Sequence, residues 1–137
     1  MNIDRLHIDT NVLVRFFCGE PAPQAQKVRR LVERADAGRL ILVVTPVIVA
    51  ETFYTLESFY EMDRKDVAEK LGTFLGCRGI EVMERDVTLR ALALCANQNV
   101  HFADAYLACF ALDTNEPVGS FDRGFDKIKG VQRVEPG

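Results

Sequence analysis

Apolar and polar residues follow one another along the chain in two different rhythms, which predict helices and strands in turn. In residues 22–37, apolar side chains recur every three or four positions, as Ala25, Val28, Leu31, Val32 and Ala35. This spacing indicates an amphipathic helix. Residues 39–44 instead form an almost unbroken apolar run between glycine and proline. Such a run is typical of a strand that is buried on both faces, as in a parallel sheet.

The same patterns, continued along the chain, predict five strands and six helices. The strands are expected at 6–8, 39–44, 80–83, 117–120 and 131–134, and the helices at 12–18, 22–37, 46–60, 64–75, 87–97 and 103–113. The expected helix caps are Thr10 or Asn11, then Thr45, Asp63 and Asp86. Strands that alternate with helices predict an α/β sandwich with a mostly parallel sheet.

Length and composition place few further limits on the fold. A chain of 137 residues can bury a core as a single domain over residues 1–137, and 48% apolar with 27% charged residues excludes a disordered chain. No apolar run approaches the roughly 20 residues of a membrane span, and the start does not resemble a signal peptide. We therefore expect a cytoplasmic protein with no membrane association. Its four cysteines lack the CxxC spacing of metal or redox sites and are expected to be reduced.

Four acidic residues stand where one predicted element gives way to the next, and each has apolar neighbours. They are Asp9 in LHIDTNVLV, Glu51 in PVIVAETFYTL, Asp104 in VHFADAYLACFA and Asp122 in EPVGSFDRGF. A carboxylate is costly to bury without a compensating positive charge, and no Lys or Arg stands regularly beside these four. We therefore expect the compensating charge to be a metal ion. Ligation by oxygen alone favours Mg²⁺ or Mn²⁺ over zinc.

The predicted elements can bring these acids together. In open α/β sheets, ligands bind beyond the carboxyl ends of the strands. Asp9 follows the first strand and Asp122 the fourth, so they share a crevice if those strands are neighbours. Glu51 lies about two turns into its helix, and Asp104 lies in a first helical turn. Each acid alone also has an ordinary interpretation, as a turn residue or as a first-turn carboxylate favoured by the helix dipole.

In this order and spacing, the four motifs resemble the PIN domain and, more narrowly, the VapC-type ribonuclease toxins of toxin–antitoxin pairs. The resemblance runs from residue 6 to about residue 134. It implies a three-layer α/β/α sandwich with a mostly parallel central sheet, and an endoribonuclease site that binds one or two Mg²⁺ or Mn²⁺ ions. By position, Asp9, Glu51 and Asp104 match the principal acids of the family, and Asp122 matches its more variable fourth acid.

The resemblance also assigns supporting roles. Asn11 and Ser120 match polar residues that often support the site. The implied reaction is hydrolysis of RNA by metal-activated water, which would leave a 5′-phosphate and a 3′-hydroxyl. Arg15, Arg123 and Lys127 are candidate RNA contacts. The net charge of −3 does not argue against RNA, because removing the four negative charges of the acids leaves +1.

Other titratable residues are expected to have ordinary roles. Asp126 is expected in a surface or capping role. His7, inside the first strand, and His101, before the helix of Asp104, are poorly placed to form the acid–base pair of a metal-free ribonuclease.

The resemblance further implies a cognate antitoxin and a homodimer, with Phe16, Phe17 and the apolar faces beside Glu51 as surface to be covered. Two other interpretations remain open. The chain could be a non-catalytic PIN-like module that binds RNA or protein. It could also be a phospho-aspartyl protein, although a phosphatase of that kind would want Asp at position 11, which is Asn, and a receiver domain would need Lys after the fourth strand.

Overall fold

The computed structural model describes residues 4–137, which form parallel strands covered by helices. Strands β1 (Asp4–His7), β2 (Leu40–Val44) and β3 (Ile80–Val82) make a parallel sheet in the order β1–β2–β3. Strands β4 (Val118–Gly119) and β5 (Arg133–Val134) form a separate parallel ladder. The helices are α1 (Thr10–Cys18), α2 (Ala22–Asp36), α3 (Pro46–Tyr54), α4 (Arg64–Leu75), α5 (Arg85–Gln98) and α6 (Phe102–Thr114).

The apolar run in the middle of the chain forms the central strand, as predicted. Leu42, Val43 and Val44 are at most 1% exposed, and β2 pairs with β1 on one side and β3 on the other. Burial on both faces explains why the run lacks alternating polar residues. The core lies between this sheet and the helices, with Phe53 and Leu71 among its largest buried side chains.

The fourth strand does not extend the central sheet within residues 4–137. The N–H groups of Val118 and Ser120 instead bond to the carbonyls of Gln132 and Val134, at 2.8 and 3.0 Å. With only two residues, β4 forms its described ladder with β5 alone. The expected crevice for Asp9 and Asp122 depended on the first and fourth strands being neighbours. In the described structure they belong to separate ladders.

Helix caps differ from the prediction at two places. Asp9, rather than Thr10 or Asn11, caps α1, because it is the last extended residue and its Oδ1 accepts the Val12 N–H at 3.2 Å. At α5, Glu84 takes the cap position with a φ of 53°, and the helix begins before Asp86, which lies in its first turn.

Two other predicted caps have the right position without the expected bond. Thr45 and Asp63 precede α3 and α4, but in the described structure neither side chain makes a capping hydrogen bond.

The helix predicted over 46–60 is divided in two. After α3 the chain widens into a π-helical turn, Thr55–Phe59. Such turns occur frequently at functional sites.

Helix α2 and strand β3 meet at a close backbone contact. Gly79 has a φ of +80°, and a Cβ atom added there would lie 2.3 Å from the carbonyl oxygen of Ala35. Only glycine fits this approach without a shift of the backbone. Within residues 4–137, no helix combines the length and the apolar character that a membrane span requires.

Candidate active site

The first residue of α1, Thr10, links Asp9 to Glu51. The Thr10 hydroxyl donates a hydrogen bond to Glu51 Oε2 at 2.9 Å, and Thr10 follows Asp9 directly. Helices α1 and α3 pack against each other, which holds this contact. Because the capping bond of Asp9 uses Oδ1, its second carboxylate oxygen is available to a ligand. Asp9 and Glu51 are therefore linked through Thr10, and we call them the first pair of acids.

Asp104 and Asp122 form a second pair, which lines one pocket of about 260 Å³ together with Lys127. Asp104 lies in the first turn of α6 and is half-buried. Asp122 caps a short 3₁₀ turn, where its Oδ1 accepts the Gly124 N–H at 2.8 Å. Ser120 Oγ accepts the Asp122 N–H at 2.9 Å. Ser120 therefore fixes the backbone that carries the fourth acid.

The expectation that these carboxylates are buried is wrong. Asp9, Glu51 and Asp122 are exposed, and only Asp104 is half-buried. Their apolar neighbours in sequence point elsewhere: Ile8 and Leu13, on either side of Asp9, are 5% and 0% exposed. The argument that burial itself demands a compensating charge therefore does not hold.

The donor chemistry fits a hard divalent cation, although the acids stand as two pairs. All four offer carboxylate oxygens, which Mg²⁺ and Mn²⁺ prefer. None of the four forms an ion pair with Lys or Arg among the described residues. Over residues 4–137, however, no three His, Cys, Asp or Glu side chains lie close enough together to hold one ion.

Comparison with known proteins identifies the family. The model of the PIN domain matches residues 6–131, most of the chain. The chain belongs to the PIN domain family. A relative named VapC ribonuclease, from Aquifex aeolicus (strain VF5), is 28% identical over 130 residues, which cover 94% of this chain and 95% of the relative. A crystal structure of VapBC2 from Rickettsia felis bound to a DNA fragment from their promoter shares 16% identity, covers 95% of this chain and 97% of that one, and has a TM-score of 0.40.

Membership confirms the predicted resemblance and the predicted α/β/α class. Of the basic and polar residues expected near the site of this PIN domain, some line a pocket of the acids and others do not. Lys127 lines the pocket of the second pair. Arg15 turns towards α2, where its Nε donates to Gln24 Oε1 at 2.7 Å. Asn11 and Arg123 are exposed, and within residues 4–137 the Asn11 side chain makes no hydrogen bond.

Asp126 lies at the surface, as expected, where both its oxygens accept hydrogen bonds from Arg133 at 3.0 and 3.2 Å. These bonds lower the pKa of the Asp126 carboxyl. Arg133 also donates to the Ser120 carbonyl at 3.1 Å. The pair therefore braces the turn of the PIN domain that leads into Asp122.

Sequence reasoning missed one charged residue of the second pocket. Arg64 lines it beside Asp104 and contacts Asn99 and His101. Nothing local in the sequence distinguishes Arg64 from other arginines on helix surfaces. The signal that could have indicated Arg64 is the segment Asn99-Val100-His101, which stands between two helices. Its asparagine and histidine offer hydrogen-bond acceptors to a cation.

Proposed function

We propose that this PIN domain is a Mg²⁺- or Mn²⁺-dependent endoribonuclease. The observation that supports this most is the state of the four acids that the family resemblance singles out. Asp9 and Asp122 cap helical elements, Asp104 lies in the first turn of α6, and Glu51 lies on α3. None of the four forms an ion pair with a Lys or Arg among the described residues. Helix α3, which carries Glu51, packs against both α1 and α6. The two pairs of acids therefore belong to one connected set of helices.

The residues have separate roles in this proposal. Asp9, Glu51 and Asp104 are the proposed ligands of one ion, and Asp122 would complete its shell or hold a second ion. Because no three of these side chains lie close enough together among the described residues, binding would have to draw the two pairs of acids towards each other. When bound, the ion would neutralise phosphate charge and activate water for in-line attack. Thr10 orients Glu51, and Ser120 holds the backbone of Asp122.

RNA must also be held in register with the acids. Lys127 shares a pocket with Asp104 and Asp122, so its ammonium can contact a phosphate next to the one that is cleaved. Arg123, which follows Asp122 directly, and Arg15 remain candidate contacts at the edge of the site. Phosphate contacts of this kind make binding strongly dependent on salt.

Cleavage of a labelled RNA by the purified chain tests the proposal. We expect cleavage with Mg²⁺ or Mn²⁺, loss of cleavage in excess EDTA, and loss in Asp104→Asn. The products should carry a 5′-phosphate and a 3′-hydroxyl. Products that end in a 2′,3′-cyclic phosphate, or full activity in excess EDTA, would exclude a metal-dependent mechanism.

We further propose that the chain is the toxin of a toxin–antitoxin pair. The relative named VapC ribonuclease matches it over nearly the full length of both proteins. A groove of about 420 Å³ between α1, α2 and α4 is lined by Phe16, Phe17 and Phe74, and it offers an antitoxin an apolar surface. Beside Glu51, Val47 and Tyr54 are 66% and 67% exposed, which offers a second surface to an antitoxin or to another copy in a homodimer.

Growth of cells that express the chain tests the toxin proposal. Expression alone should arrest growth, whereas Asp9→Asn should not. Co-expression with the neighbouring gene should restore growth and yield a complex that elutes together, and light scattering of the chain alone should give the mass of a dimer. Normal growth with cleavage-competent protein would count against the toxin role.

A non-catalytic RNA-binding module is the second candidate. The separation of the acids into two pairs favours it, because no described trio is ready to hold an ion. In that case wild type and Asp9→Asn should bind RNA alike, and neither should cleave it.

A further inference from the structure

Arg64, the first residue of α4, contacts three residues in two other parts of the chain. Its Nε donates to Glu57 in the π-helical turn. Its Nη1 donates to the backbone oxygen of Asn99 at 2.7 Å and to Asn99 Oδ1 at 3.3 Å. Its Nη2 lies 3.0 Å from Nε2 of His101. All three nitrogens of the guanidinium are therefore engaged within the protein, and one N–H of Nη2 is left over.

The hydrogen-bonding roles follow from the chemistry of arginine. A guanidinium has only donors, so His101 Nε2 accepts, and the ring proton of a neutral imidazole is assigned to Nδ1. That nitrogen lies 3.0 Å from Glu57 Oε1. The contact lacks the alignment of a hydrogen bond, which leaves Glu57 Oε1 without a directed donor. The side chains of Arg64 and Glu57 are only 21% and 14% exposed, so solvent screens their attraction little.

The contacts of Arg64 converge on the turn between α5 and α6. Asn99 ends α5 in a left-handed conformation, with φ at 56°. His101 caps α6, and its carbonyl accepts the Ala105 N–H at 2.9 Å. Asp104 follows His101 by three residues, within the turn that this cap begins. The direction in which α6 leaves the cap therefore sets the position of the Asp104 carboxylate.

We propose that Arg64 is a positioning residue for Asp104. Glu57 anchors the guanidinium to the segment that continues α3, and the guanidinium holds both residues that flank Val100. This clamp fixes the first turn of α6 relative to the helix that carries Glu51. The proposal rests on the nuclease function proposed above, because it assigns Arg64 a part in that site without contact to the substrate.

The size of the effect follows from the geometry that catalysis requires. Misplacing a catalytic group by about 1 Å can reduce rates about 10²-fold, and losing a residue that orients a metal ligand typically costs about 10–100-fold in affinity or activity. We expect Arg64→Ala to lower kcat by about 10–100-fold with little change in KM. Arg64→Lys should restore only part of kcat, because an ammonium can pair with Glu57 but lacks the planar fork that reaches all three partners.

Arg90 provides a matched control. It lies on α5 and joins that helix to the far end of α6, where it donates to both oxygens of Asp113 at 2.8 and 2.6 Å. It also lies 3.2 Å from Asp86 on its own helix. Arg90→Ala removes an arginine and an interhelical ion pair, but it leaves the start of α6 intact. Its kcat should remain that of wild type.

The experiment compares wild type, Arg64→Ala, Arg64→Lys and Arg90→Ala in three measurements. These are kcat and KM on one RNA, Mn²⁺ affinity by titration calorimetry, and hydrogen exchange of the backbone amides in residues 102–106. Arg64→Ala should lower kcat, weaken Mn²⁺ binding and speed exchange in that turn more than Arg90→Ala does. Equal values for the two alanine variants in all three measurements would overturn the proposal.

Two further results keep the test decisive. If Arg64→Ala does not fold, His101→Ala replaces it, since His101 is exposed and its loss removes one of the three contacts; wild-type exchange and kcat in that variant would count against the clamp. If wild type cleaves no RNA, the nuclease proposal fails. The clamp would then still be supported by faster exchange in Arg64→Ala, and overturned by unchanged exchange.

Discussion

Thr10 donates its hydroxyl hydrogen to Glu51 Oε2 across 2.9 Å and so joins two residues that are 41 positions apart. The bond occupies one oxygen of Glu51, and the other makes no hydrogen bond within residues 4–137. It also holds the exposed end of a flexible side chain beside the residue that follows Asp9. A threonine with no chemistry of its own therefore gives the first pair of acids its geometry.

Thr10→Val tests this contact, because it removes the hydroxyl and keeps the shape of the side chain. We expect Mn²⁺ affinity or turnover to fall by about 10-fold, as is typical when an orienting partner is lost. The free energy of unfolding in urea should fall by about 1 kcal/mol or less, since an exposed hydrogen bond contributes little. Thr10→Ser keeps the hydroxyl and should behave as wild type. A serine variant as impaired as the valine variant would contradict this account.

Two substitutions of Asp9 separate its helix cap from its charge. Asn caps helices as well as Asp does, so Asp9→Asn should abolish RNA cleavage without loss of stability. Asp9→Ala should abolish cleavage and also lower the free energy of unfolding by about 1 kcal/mol, the usual cost of a lost cap. Urea denaturation of the two variants gives the comparison. Equal stability of both would mean that the bond to Val12 contributes nothing.

Alanine at Gly79 and at Gly72 should have opposite effects. At Gly79 the added Cβ would lie 2.3 Å from the Ala35 carbonyl oxygen, at a positive φ, so unfolding free energy should fall by about 1–3 kcal/mol or more. Gly72 lies inside α4 with nothing within 4 Å of an added Cβ, so alanine there should add about 0.5–1 kcal/mol. Thermal and urea unfolding measure both. A gain in stability at position 79 would refute the close contact.

The Asp126–Arg133 pair should make stability depend on pH in the acid range. Because hydrogen bonds from Arg133 lower the pKa of Asp126, the pair contributes fully above the ordinary aspartate value of about 3.9. The contribution is lost as the pH falls through the lowered pKa. Asp126→Asn should therefore be less stable than wild type at neutral pH, and the difference should shrink as the pH falls below about 3.9. Urea denaturation of both proteins across this pH range measures the difference, and a difference that stays constant below pH about 3.9 would contradict this account.

The cysteines should differ sharply in reactivity. Burial raises the pKa of the Cys95 thiol to about 12 and also raises that of Cys109, whereas Cys77 is exposed. At pH 8, iodoacetamide should therefore modify Cys77 in the native protein, and Cys95 and Cys109 only after unfolding in urea. Peptide mass spectrometry measures the extent at each site. Rapid native modification of Cys95 would contradict its burial.

The sequence predicts the regular elements well wherever burial controls the pattern. Residues 40–44 are apolar because the strand is buried on both faces, and the observed β2 differs from the predicted strand by one residue. The caps were harder to predict, since Asp9, Thr10 and Asn11 are all good cap residues. The choice among them depends on where the backbone leaves the extended conformation. The π-helical turn at Thr55–Phe59 leaves no mark in the spacing of apolar residues.

The candidate site is only partly visible in the sequence. Local motifs single out the acids, but their apolar neighbours in sequence also predict that the carboxylates are buried. That prediction fails because residues adjacent in sequence can point in opposite directions in the fold. Arg64 could not be found in this way. Its partners Glu57, Asn99 and His101 are 7, 35 and 37 positions away, and only the folded chain brings them together.

The two pairs of acids are also separated in the order of synthesis. Glu51 completes the first pair, whereas the second waits until Asp122, 71 positions later, has been added. A ribosome adds about 5–20 residues per second, and domains fold as units during this process. A product released between these points would contain one pair of carboxylates and part of the sheet. On the proposed function, a translation product that ends before Asp122 would therefore lack nuclease activity. Cleavage of the host's RNA would become possible only once the last elements of the chain have been synthesised.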